Sequence, residues 1–113
     1  MHELSIAQSV IDTIKKNVPS DLLPKADKVK LQIGTLSGIE LDALTYSFGI
    51  LVQNTAFPQL AMEIDLKEGK GQCQACGTEF TYNKYGIPCP QCGGFSIKII
   101  DGKQMKIINI TMK

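Results

Sequence analysis

Apolar residues recur every three or four positions over 3–17, where Leu4, Ala7, Ile11 and Ile14 form one stripe and Ile6 and Val10 widen it. The spacing predicts an amphipathic helix. Lys15 and Lys16 suit the negative end of its dipole, and Pro19 forbids continuation. Residues 19–26 connect to a stretch of different period. Over 28–34, Val29, Leu31 and Ile33 alternate with Lys28, Lys30 and Gln32, which marks a strand with one solvated face. Gly34, Ser37 and Gly38 supply a turn, and a second helix follows over about 41–53. Its expected buried stripe is Leu41, Leu44, Phe48, Leu51 and Val52. Residues 61–67 alternate again, with Met62, Ile64 and Leu66 inward and Glu63, Asp65 and Lys67 outward.

The α-β-α-β pattern breaks at Gly69. From there to Gly94 the chain is rich in glycine, proline and cysteine and poor in aliphatic residues. Two strand-like runs follow, 96–101 and 104–112, and Asp101-Gly102 between them reads as a hairpin turn. The expected fold class is α+β: two helices packed on a small mixed β-sheet, with an inserted, zinc-ribbon-like domain built on four cysteines. The expected domains are 1–68 plus 96–113, and the insertion 69–95.

Length and composition narrow the function classes. A chain of 113 residues with 43% apolar content holds one modest core. No apolar run is long enough to span a bilayer, and the start MHELSIAQSV has no basic leader, so a cytoplasmic location with reduced thiols is expected. Net charge is +1, and all 12 basic residues are lysines spread along the chain. Readers of nucleic acid use clustered cations and rely on arginine for bidentate contacts, so DNA or RNA is not expected as a partner.

The cysteines read Cys73-Gln-Ala-Cys76-Gly77, a twelve-residue spacer, then Cys89-Pro-Gln-Cys92-Gly93. Each Cys-x-x-Cys turn places two sulfurs on one side of a tight loop, and the next glycine can take the positive φ such a turn needs. Two such turns supply a tetrahedral set. Thiolates favour zinc, and its binding would replace the core this segment lacks. Two disulfides, an iron tetrathiolate of rubredoxin type, and a redox-active pair are the rival readings. With four thiolates no coordination place stays open, so the expected zinc is structural.

His2 is the only histidine. A lone histidine is ordinarily a surface or capping residue. At position two, however, its imidazole lies close in sequence to the α-amine of Met1 and to its own backbone amide. These nitrogens can chelate one ion in a plane, a field that suits Ni(II) or Cu(II) better than zinc. Glu3 could add a backbone nitrogen or its carboxylate.

Together the opening Met1-His2-Glu3-Leu4-Ser5-Ile6-Ala7, the segment Ile33-Gly34-Thr35-Leu36-Ser37-Gly38-Ile39-Glu40 and the paired cysteine turns resemble the HypA/HybF family of hydrogenase nickel-incorporation proteins, along essentially the whole chain. The resemblance implies a metallochaperone rather than an enzyme, with Ni(II) bound transiently by Met1, His2 and Glu3. An acid at the start of the second helix, Glu40 here, is also implied as a nickel ligand; otherwise it is a dipole-complementing acid. The implied partners are a nickel-handling GTPase and the hydrogenase large subunit, with the chain itself a monomer or weak homodimer. Two departures stand out: Leu41 and Asp42 follow Glu40 where the family usually has proline, and no histidine lies near the cysteine turns. The first should touch helix initiation more than chemistry.

Overall fold

The computed structural model describes residues 2–113, and side chains from Glu3 onward. Helix α1 spans His2–Asn17, strand β1 Ala26–Gly34, helix α2 Leu41–Val52 and strand β2 Ala61–Lys67. Strands β3 (Lys70–Cys73), β4 (Glu79–Thr81), β5 (Ile97–Asp101) and β6 (Met105–Met112) complete the chain. Two three-stranded sheets result, ordered β2-β1-β6 and β4-β3-β5.

The residues fall into two compact units. The first comprises 1–31, 39–64 and 107–113, and the second 32–38 and 65–106. In the first, Ala7, Val10, Ile11 and Ile14 of α1 are buried, as are Leu44, Phe48 and Val52 of α2. Val29 and Leu31 of β1 are fully enclosed, with Phe57 and Leu60 from the segment after α2. The helical stripe is narrower than its sequence period suggests, because Leu4 is 49% exposed. Lys28 and Lys30 reach Glu63 on β2 at 3.4 and 3.7 Å, across exposed surface where such pairs are worth about 0–1 kcal/mol.

Strand direction follows from single bonds. Lys28 and Lys30 lie by Glu63, and further along Thr35 N–H donates to Lys67 O (3.0 Å), so β1 and β2 run the same way. Lys113 N–H donates to Lys25 O (2.7 Å) and Gly34 N–H to Gln104 O (2.8 Å), so β6 runs opposite to β1. The sheet is mixed, as expected. β1 and β2 are joined through α2, the connection parallel strands need.

The second unit corrects the expected hairpin. β5 pairs antiparallel with β3, Cys73 facing Ile97, while β6 joins β1 in the other sheet. Asp101-Gly102 is therefore a passage between sheets. Gly102 takes φ +112°, and a Cβ there would press on the backbone of Gly69. A side chain at Gly69 would overlap the Tyr82 carbonyl, and one at Gly34 would overlap the Gly102 carbonyl. Three segments thus cross at three glycines. The crossing is pinned by Gly69 N–H, which donates to Asn83 Oδ1 (2.6 Å) and Thr35 Oγ1 (3.1 Å), while the Thr35 hydroxyl donates to the same Asn83 oxygen (2.8 Å).

Candidate metal centre

The two cysteine turns repeat one backbone scheme. Gly77 N–H donates to Cys73 O and Gly93 N–H to Cys89 O, each at 2.8 Å. Cys73 N–H donates to Thr78 O at 2.9 Å, and Cys89 N–H to Gly94 O at 2.7 Å. Gly77 and Gly93 sit at φ +79° and +77°, the left-handed conformation anticipated for the residue after each pair. In each turn the first sulfur is buried and the second exposed.

Repeating the turn brings the four sulfurs together. All four thiols are free, and their sulfurs lie within 4.8 Å of one another. Cys73 Sγ and Cys92 Sγ are 3.5 Å apart, and Cys76 Sγ and Cys89 Sγ 3.7 Å. Both separations are far beyond a disulfide bond. They match the edge of a tetrahedron with metal–sulfur bonds of about 2.3 Å, which is about 3.8 Å. The donor set and its size therefore fit one tetrathiolate-bound ion.

Electrostatics point the same way. A hydrogen bond with the Thr78 hydroxyl at 3.2 Å, followed by the Thr78 backbone N–H, lowers the Cys76 thiol to about 6. The backbone N–H of Cys76, opposed by desolvation, lowers Cys73. At Cys92 the Gly94 N–H pulls downward, but the Cys73, Cys76 and Cys89 sulfurs and desolvation together push the thiol up to about 12. Crowded thiolates cannot all ionise alone, and a dication removes that repulsion. Thr78 escaped the sequence reading. Its position just after Cys76-Gly77 was the available signal, but Gly94 stands at the matching place of the second turn.

At the other expected site, the Glu40 N–H donates to Glu3 Oε2 at 3.1 Å. Glu40 is the N-cap of α2, makes no side-chain cap bond, and accepts the Leu44 N–H on its carbonyl at 2.9 Å. Glu3, from 37 residues away, accepts the N–H of this N-cap residue, the bond that the glutamate of a capping box makes from within its own helix. The structure thus brings Glu3 to the backbone of Glu40. Met1 and the side chain of His2 lie outside the described residues. Helix α2 starts at Leu41 without the proline.

That bond has a measurable signature. The Glu40 N–H, and next Glu3's own N–H, hold the Glu3 carboxyl below its ordinary 4.5. A carboxylate lowered in the folded state stabilises fully above the ordinary value and loses its contribution as pH falls through the lowered one. In a pH titration followed by NMR, the Glu40 amide shift is expected to move with a midpoint below 4.5. A midpoint at or above that value would break the assignment.

No helix among the described residues is long and apolar enough to cross a membrane. A family model described as hydrogenase/urease nickel incorporation, metallochaperone, hypA, matches residues 1–112. The hydrogenase maturation factor HypA of Psychromonas ingrahamii is 37% identical over 113 residues, covering 100% of this chain and 99% of that one. Its counterpart in Prosthecochloris aestuarii is 33% identical and covers 100% of both. The solution structure of the Ni metallochaperone HypA from Helicobacter pylori superposes with a TM-score of 0.65 at 20% identity, over 97% of this chain and 96% of that one. A second solution structure, of HypA protein, gives 0.68 at 22% identity, over 100% and 97%. At such identity these two speak for the fold. With the whole length matched, the chain belongs to the HypA family of hydrogenase/urease nickel-incorporation metallochaperones.

Proposed function

We propose that this chain is a nickel metallochaperone, not an enzyme, that takes up Ni(II) at its amino end and releases it during hydrogenase maturation. The Met1 amine, the His2 imidazole and backbone amide, and Glu3 form the cargo site, with Glu40 as a further acidic ligand. The Glu3–Glu40 bond supports this reading, because it brings the Glu3 carboxylate from the start of α1 to the backbone of Glu40 at the start of α2. Nitrogen donors in a planar field favour Ni(II), and a site at a chain end lets an incoming ligand replace donors one at a time. Cys73, Cys76, Cys89 and Cys92 hold zinc, which supplies the fold of its unit and offers no open position for chemistry. A nickel-handling GTPase and the hydrogenase large subunit are the proposed partners, met in the cytoplasm.

Isothermal titration of untagged protein with Ni(II) tests the cargo site. His2→Ala is expected to weaken one-to-one binding by about tenfold or more, a loss of about 1.4 kcal/mol. Affinity should also fall at low pH, since the imidazole and the amine must lose protons to bind. Unchanged affinity in His2→Ala would remove the site.

A further inference from the structure

Each Cys-x-x-Cys turn sets one sulfur inside and one outside. Cys73 and Cys89 are 1% and 2% exposed, whereas Cys76 and Cys92 face solvent. Close sulfur approaches run across the two turns: Cys76 to Cys89 at 3.7 Å, and Cys92 to Cys73 at 3.5 Å. Each approach couples an exposed sulfur of one turn with a buried sulfur of the other. Local bonds hold them there, since Gln91 N–H donates to Cys89 Sγ at 3.4 Å and the Thr78 hydroxyl lies 3.2 Å from Cys76 Sγ.

A thiolate is oxidised according to its electron density and its exposure. A closed tetrathiolate shell has no coordination place for a reactant, but the outer faces of Cys76 and Cys92 stay within reach of one. We propose that the cluster is a peroxide-sensitive release device, in which oxidation starts at Cys76 or Cys92, closes the cross-turn disulfides Cys76–Cys89 and Cys73–Cys92, and expels the ion. The inference rests on the reading that the four cysteines hold zinc.

The Cys76 thiolate attacks one oxygen of hydrogen peroxide. An S–O bond forms, the O–O bond breaks and hydroxide leaves, so the sulfur gives two electrons to the peroxide. The sulfenic acid carries its oxygen on the solvent side. The Cys89 thiolate, on the buried side, then attacks the Cys76 sulfur. An S–S bond forms as the S–O bond breaks, and a second hydroxide departs. Cys92 and Cys73 repeat the sequence with another peroxide. Each bridge removes two of the four donors at once. Bridges of this kind also keep the two turns tethered, so a dithiol can reverse them by thiol–disulfide exchange.

The test uses the full chain loaded with one equivalent of zinc and then given hydrogen peroxide. Zinc release is followed with a chromogenic chelator, and the disulfides are mapped by mass spectrometry after alkylation. Trypsin separates the turns, because cleavage after Lys70, Lys84 and Lys98 leaves Cys73 and Cys76 on residues 71–84, and Cys89 and Cys92 on 85–98. Zinc should leave as thiols disappear, and the two peptides should emerge linked, with fragmentation joining Cys76 to Cys89 and Cys73 to Cys92. Dithiothreitol and fresh zinc should restore the thiols and the bound ion. Disulfides inside each turn, which leave the peptides separate, would overturn the proposal. So would sulfinic acids in place of disulfides, or zinc retained after the thiols are lost. A protein that takes up no zinc before peroxide is added would refute the zinc reading itself, and the device with it.

Discussion

Cys89→Ser is expected to unfold the cysteine unit rather than merely weaken its metal. Between residues 69 and 95 the buried apolar side chains are Cys73, Tyr82 and Cys89, so two of the three belong to the four-sulfur cluster. The strands there are short: four residues in β3, three in β4. Such a segment has too little core to order itself, and structural zinc supplies about 10–16 kcal/mol in comparable small modules. Losing one of four thiolates forfeits most of that. Metal analysis should find no ion bound by the cysteines of the variant, and its amide resonances over 70–101 should collapse toward random-coil positions. The amides of α1 and α2 should remain dispersed. A metal-free variant with a dispersed 70–101 region would show that the sulfurs do not hold the unit together.

Gly69→Ala should produce a large loss for a single added methyl. The new Cβ would overlap the Tyr82 carbonyl oxygen and crowd the Leu36 side chain. Leu36 can rotate away, but Tyr82 is held to Gly69 by its own N–H, bonded to Gly69 O at 2.8 Å. Backbone cannot give way as a side-chain tip does. The expected cost is about 3 kcal/mol, seen as a Tm lower by roughly 10 °C or more. Gly49→Ala is the matched control. Gly49 lies inside α2 with open space where a Cβ would go, so alanine there should stabilise by about 1 kcal/mol. Equal effects at the two positions would refute the crossing as the cause.

What could be read from the sequence depended on how local its cause was. The alternation of Val29, Leu31 and Ile33 and the helical stripes through Ile11 and Phe48 report a nearby buried face, and those elements form as expected. The four sulfurs were legible because each turn is built from five consecutive residues, Cys73–Gly77 and Cys89–Gly93. The failures are all tertiary. Asp101-Gly102 has the chemistry of a hairpin turn, yet β3 competes for β5 and the glycine is needed to pass Gly69. Leu66 was placed inward by its period but is 53% exposed, since an alternating pattern does not say where a core ends. The Glu3–Glu40 bond spans 37 residues, and nothing near Glu3 in the sequence announces it.

The discontinuous make-up of the two units delays both until the end of synthesis. Residues 1–31 leave the ribosome first, yet their unit also needs 107–113. The cysteine-bearing unit has every residue by 106. At about 5–20 residues per second the remaining seven residues follow within roughly a second, so both units close almost together, once nearly the whole chain has been made.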